Sequence, residues 1–117
     1  MTRDGSTRIQ PAMDILAELE KVIAARRSAS PDESYVAKLH ERGMPVIARK
    51  VGEEGLETAI AALTGSDEEL TGEAADLIFH LLVLLDAKGL SLDHVRAELQ
   101  RREGLSGLEE KAARTEH

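Results

Sequence analysis

The sequence predicts an all-α fold, and three observations carry the prediction. Ala, Leu, Glu, Lys and Arg make up over half of the 117 residues, whereas aromatic residues are only 2%. Such a composition favours helix over sheet. Apolar residues recur at spacings of three and four in successive stretches, the periodicity of a helix face. Capping residues and glycines punctuate those stretches where helices would begin and end. The helices are short, so the expected architecture is an antiparallel bundle. One stretch, Leu77 to Leu85, is apolar nearly all round. A helix of that kind is covered on every side. A small bundle seldom supplies so much cover, so dimerisation is expected to complete the fold, with this segment in the interface.

Length allows one domain. Residues 1–12 hold Gly5, Pro11 and several polar residues and read as a flexible lead. The folded domain is placed at 13–102, its first helix running from about Ala12 to Arg27. That helix carries a stripe of Ile15, Leu16, Leu19, Val22 and Ile23. Arg26 and Arg27 stand in its last turn, where the macrodipole favours cations; reaching a phosphate is the alternative use. Ser30-Pro31-Asp32-Glu33 has the order of a capping box and predicts the next helix start, with Gly43 as its stop. Ser34 and Tyr35 follow, with capping and packing as one reading and a site role as the other. A third helix is expected from Pro45 to Leu63. Gly52 and Gly55 lie inside it at about 1 kcal/mol each relative to Ala, which points either to tight helix packing or to something that approaches closely. Ser66-Asp67-Glu68-Glu69 is a second capping box, opening a helix that runs to Lys88 and stops at Gly89. His80, four residues after Asp76, is expected to be hydrogen-bonded in the core or behind a ligand. Ser91 caps a fifth helix to Arg102. Residues 103–117 form a polar tail, in which Ser106 to Glu109 is the one weak helix signal.

The net charge is −7, which argues against binding nucleic-acid backbones. There is no Cys, so no disulfide framework and no thiol chemistry. No signal peptide is visible, and the longest apolar run is far too short to span a bilayer. The expectation is a cytoplasmic protein without membrane contact.

Two acidic clusters stand out. Glu53, Glu54 and Glu57 share a helix face, and so do Glu73 and Asp76 three residues apart. If their helices pack together, the clusters can converge. Like charges ~4 Å apart repel by ~4 kcal/mol at an effective dielectric near 20, so convergence needs a cation. Oxygen ligands without Cys or His suit Mg²⁺, Mn²⁺ or Ca²⁺. A solvated acidic helix face is the alternative. Ala74, Ala75, Leu77, Ile78 and Phe79 around Asp76 weigh against it.

The pattern Glu-Glu-x-x-Glu with Glu-x-x-Asp resembles the all-α nucleoside triphosphate pyrophosphohydrolases, the MazG-like superfamily. Further segments resemble its phosphoribosyl-ATP pyrophosphatase family. They are Ser34-Tyr35-Val36-Ala37-Lys38-Leu39, Lys50-Val51-Gly52-Glu53-Glu54, Glu73-Ala74-Ala75-Asp76-Leu77 and His80 to Leu85. The resemblance spans roughly Ile15 to Arg102. It implies hydrolysis of phosphoribosyl-ATP to phosphoribosyl-AMP and pyrophosphate, the second step of histidine biosynthesis. It also implies Mg²⁺ (or Mn²⁺) and a homodimer. On this basis Glu54, Glu57, Glu73 and Asp76 are the expected metal ligands. Glu53 is another ligand or the base that orients water. Lys50 meets a phosphate oxygen or pairs with Glu53 and Glu54. Lys38, Arg49, Arg26 and Arg27 are the weaker candidates for substrate phosphates. The rival readings are a house-cleaning nucleotide pyrophosphatase of the same superfamily and a non-catalytic helical dimer module.

Overall fold

A computed structural model describes residues 14–104. The 1–12 lead, the Ser106–Glu109 signal and nearly all of the tail lie outside these residues. Within them every regular element is a helix: α1 (Ile15–Arg26), α2 (Tyr35–Arg42), α3 (Met44–Thr64), α4 (Asp67–Ala87) and α5 (Leu92–Glu103). The all-α class expected from composition and periodicity is what forms.

Local chemistry explains the boundaries. Asp14 caps α1, its Oδ1 accepting the Leu16 N–H at 3.1 Å. The start of α2 differs from the expected one. The N–H groups of Glu33 and Ser34 both bond back to the Ser30 carbonyl, closing a single turn that goes no further. Ser34 is then extended (φ −138°, ψ 123°) and is itself the cap, its Oγ accepting the Ala37 N–H at 3.1 Å. Gly43 joins α2 to α3 at φ 94°, a conformation that a side chain would strain. Ser66 and Glu69 form the predicted capping box at the head of α4, at 3.1 and 2.8 Å. At α5 Ser91 holds the cap position as expected, its N–H donated to His94 Nδ1 at 3.1 Å. Glu20 of α1 adds to the cap by taking the Leu92 N–H at 2.6 Å. Arg96 adds an ion pair to Asp14 at 2.8 Å, so α5 is tied to α1 at two points.

The core is aliphatic. Ile23, Val36, Leu39, Ile47, Leu82 and Val83 form one buried cluster, with Leu19, Val46, Phe79, Leu84, Leu85 and Leu92 packed around it. At roughly 1.5–3 kcal/mol per fully buried side chain, this cluster is the main source of stability. Four helices contribute to the buried cluster, and α5 packs on its edge through Leu92. The most extensive helix pair is α3 with α4, each of 21 residues and joined only by Gly65 and Ser66.

Packing of α4 against α1, α2 and α3 accounts for part of the all-round apolarity of Leu77–Leu85. His80, Leu82 and Val83 are buried within the chain, while Ile78 and Leu81 remain exposed. A second apolar stripe stays uncovered on α3, through Leu56, Ile60 and Leu63. On the same helix, a Cβ built at Gly52 or Gly55 would meet nothing within 4 Å. These two glycines therefore do not serve helix packing inside the chain.

Candidate metal centre

The α3–α4 pair decides which acids meet. Glu54, Glu57 and Glu73 each offer a carboxylate oxygen, and these oxygens all lie within 4.8 Å of one another. Their surroundings are graded. Glu54 is buried, Glu73 half-buried and Glu57 exposed, so the cluster has a closed inner side and an open outer one. Glu54 Oε1 and Glu73 Oε1 are buried without a hydrogen-bond partner. A buried carboxylate oxygen left in that state is unfavourable. The residues thus fit a hard divalent cation: the donors are all oxygen, they converge, and two of them need a partner.

The Glu73 carboxyl reports the same crowding. Its pKa is raised, first by loss of solvent, then by the Glu57 charge and a hydrogen bond to Glu57, with Glu54 and Asp76 adding to it. In the absence of a cation, protonation of Glu73 is the way the cluster relieves its repulsion.

Asp76 stands next to this set rather than within it. Its side chain is exposed and its charge acts on Glu73. With Glu57 and Glu73 it lines a groove of about 750 Å³ between the second half of α3 and the first half of α4. Ile60, Ala61 and Ala75 supply the apolar wall, and Thr64 and Glu69 line it further along. No Lys or Arg is among the lining residues.

The remaining candidate residues sort by their partners. Glu53 is held by two cations, Arg49 Nε at 3.6 Å and Lys50 Nζ at 3.7 Å. Of the two pairings open to Lys50, the structure has the one with Glu53. Glu53 thus faces Arg49 and Lys50 and stands outside the converging set. Arg27 pairs with Asp86 at 3.4 Å. Asp86 lies ten residues beyond Asp76 on α4, about 15 Å along the helix axis. Arg26 and Lys38 are exposed.

His80 is buried, as expected of a hydrogen-bonded histidine. Its Nδ1 lies 2.8 Å from the Asp76 carbonyl oxygen and its Nε2 lies 2.8 Å from the Tyr35 hydroxyl. A carbonyl only accepts, so Nδ1 carries the proton. In the neutral ring Nε2 then accepts, and Tyr35 donates.

The family model of phosphoribosyl-ATP pyrophosphohydrolase matches residues 16–103, nearly the whole described domain. The chain belongs to this family. Three relatives, each named phosphoribosyl-ATP pyrophosphatase, give the scale of the likeness. The protein of Erythrobacter litoralis is 71% identical over 102 residues, covering 87% of this chain and 98% of its own. That of Novosphingobium aromaticivorans is 62% identical, covering 87% of this chain and 95% of its own. That of Zymomonas mobilis is 58% identical, covering 86% and 94%. For a phosphoribosyl-ATP pyrophosphohydrolase, the groove has a chemical logic. A triphosphate approaching an acidic, cation-free wall needs divalent charge between the two sets of oxygens.

Proposed function

We propose that this chain hydrolyses phosphoribosyl-ATP to phosphoribosyl-AMP and pyrophosphate, the second step of histidine biosynthesis. The observation that carries the reading is the convergence of Glu54, Glu57 and Glu73, in a chain of this family, beside a groove of nucleotide size.

In this reading Glu54, Glu57 and Glu73 hold Mg²⁺, for which Mn²⁺ can substitute, and Asp76 closes the site from the lip of the groove. When bound, the metal supplies the positive charge that the triphosphate needs and lowers the pKa of water. Everything else falls to the chain. Buried Glu54 fixes the inner edge of the site. Glu53, balanced by Arg49 and Lys50, stands one position before Glu54 and orients the attacking water, while Lys50 exchanges Glu53 for a phosphate oxygen when substrate binds. Arg49 and Lys38, and more weakly Arg26 and Arg27, meet outer phosphates. Water opens the anhydride between the α and β phosphates, its oxygen ends on one product, and pyrophosphate departs. With no Cys in the chain and neither Ser nor Lys among the residues that line the groove, direct attack is the simpler route.

The domain is taken as 13–102, and the chain as a cytoplasmic homodimer without nucleic-acid or membrane partners. Among the described residues no helix is long and apolar enough to cross a membrane. A second copy would cover the outward apolar face of α3 and α4, through Leu56, Ile60, Leu63, Ile78 and Leu81. Leu63 is 84% exposed, so Leu63→Asp leaves the protomer core alone. It is expected to yield a helical monomer in sedimentation analysis; a variant that stays dimeric at low micromolar concentration places the interface elsewhere.

The test of function is release of pyrophosphate from phosphoribosyl-ATP against a panel of nucleoside triphosphates. Phosphoribosyl-ATP is expected to be the preferred substrate. Equal rates on ATP would move the protein to the house-cleaning branch, and no release from any of them would end the enzymatic reading.

Metal should also be visible in stability. At a hundredfold excess over its dissociation constant, a ligand of the folded state alone contributes roughly 2.7 kcal/mol. Millimolar Mg²⁺ is therefore expected to raise the melting temperature over that in chelator. The pH dependence has a definite sign. The raised Glu73 pKa means that the folded, metal-free protein holds this proton more tightly than the unfolded chain. The Glu73 contribution to stability in chelator is then fully present below the ordinary carboxyl pKa and is lost as pH rises through the raised one. Mg²⁺ should lessen that loss. Melting curves that coincide with and without metal at every pH would rule out a preformed site.

A further inference from the structure

The aromatic side chains of this protein are gathered in one place. Its one Tyr and one Phe meet each other and His80, while the buried core is aliphatic throughout. Tyr35 stacks on Phe79 with ring centroids 6.0 Å apart and planes 21° from parallel. His80 stands edge-on to both, at 5.6 and 5.1 Å. The position is also specific. Tyr35 is the first residue of α2, directly after the Ser34 cap. His80 is the residue whose ring reaches the main-chain carbonyl of Asp76. A chain of two hydrogen bonds thus runs from the α2 terminus through a buried imidazole to the peptide that carries Asp76.

Packing alone does not call for this arrangement. The Tyr35 ring is 46% exposed, yet its hydroxyl points inward onto a histidine that is only 6% exposed. A phenylalanine would make the same stack. What the hydroxyl adds is a donor that fixes the ring of His80. With Nε2 occupied as an acceptor, Nδ1–H is directed at the Asp76 carbonyl, which the helix ladder already uses. Asp76 is the acid that lies beside the converging set and not in it. Its exposed side chain gains most from a backbone held at one angle.

We propose that Tyr35 is a positioning residue for the metal centre: through His80 it holds the α4 turn from which Asp76 reaches the cation. The inference rests on the metal reading above; losing a partner bonded to a ligand itself typically changes metal affinity by about 10–100-fold, and Tyr35, one step further back, belongs at the low end of that range.

The experiment is a Mn²⁺ titration of the full chain without nucleotide, by calorimetry or by paramagnetic resonance. Four proteins are compared: the unsubstituted chain, Tyr35→Phe, Asp76→Asn and the double variant. Tyr35→Phe keeps the ring stack and is expected to bind Mn²⁺ up to about tenfold more weakly. In the Asp76→Asn background the same change is expected to have little further effect, because the route to the metal is already gone. His80→Phe, which removes both hydrogen bonds, should reproduce the loss. A purely structural hydroxyl would lower the melting temperature in chelator and leave the Mn²⁺ dissociation constant where it was; that result overturns the proposal. Equal losses with and without the Asp76 carboxylate overturn the route through Asp76. If the unsubstituted chain binds no Mn²⁺ at all, the metal reading fails and the inference fails with it.

Discussion

Glu57→Gln is expected to lower pyrophosphate release from phosphoribosyl-ATP by roughly two to three orders of magnitude, the usual scale for losing one electrostatic contact to a developing charge. The amide keeps the size of the side chain and one oxygen donor but removes the charge that a hard cation needs. Glu57 is exposed on α3 and supports no part of the core, so the circular dichroism of the variant should match that of the parent. Stability should separate metal from scaffold. The Glu57 charge is the main electrostatic cause of the raised Glu73 pKa. Removing it relieves the metal-free cluster, and the variant in chelator is expected to melt no lower than the parent. The rise produced by Mg²⁺ should shrink. Asp76→Asn is expected to share the loss of turnover. Near-normal release by both variants would dismiss the assigned site and leave the family assignment standing.

The second large effect concerns the fold. Ile47 is 1% exposed and belongs to the cluster with Ile23, Leu39 and Val83. Ile47→Ala removes buried methyl and methylene groups and leaves a cavity that a helical core closes only in part. The expected loss is about 2–5 kcal/mol. For a domain of roughly 100 residues each kcal/mol moves the melting temperature by about 4–8 °C, so a fall of about 8 °C or more is anticipated. Leu99→Ala is the comparison. Leu99 is 57% exposed on α5, and a surface change of this kind stays within about 0.5 kcal/mol. Equal melting temperatures for the two variants would show that the core does not lie where the buried cluster places it.

Much of this was legible in the residues. The capping box of Ser66 and Glu69 and the stop at Gly43 are local features, and they form as the spacing indicates; of the α1 stripe only Ile23 and Leu19 join the core, while Ile15 and Val22 are exposed. The Ser30 segment shows where local reading fails. Its four residues satisfy the capping-box order, but Ser34 offers a competing cap four residues later, and the chain uses that one. The two differ by less than the packing of Val36, Ala37 and Leu39 contributes, so the core chooses.

The acidic centre divides in the same way. Sequence spacing alone determined that Glu53, Glu54 and Glu57 share one side of a helix, that Glu73 and Asp76 share another, and that oxygen donors without Cys or His favour a hard cation. It also carried the family. It did not determine which acids meet. Glu53 and Glu54 are neighbours, about 100° apart around the helix, and only the docking of α3 on α4 turns Glu54 inward and leaves Glu53 to Arg49 and Lys50. Tertiary structure likewise decided that Tyr35 meets His80 across 45 residues and that Glu20 caps α5 across 72. The physical reason is common to all three. Helical periodicity sets the angle between side chains on one helix, whereas the rotation of one helix against another is set by the summed packing of the whole core, to which no single short stretch of sequence holds the answer.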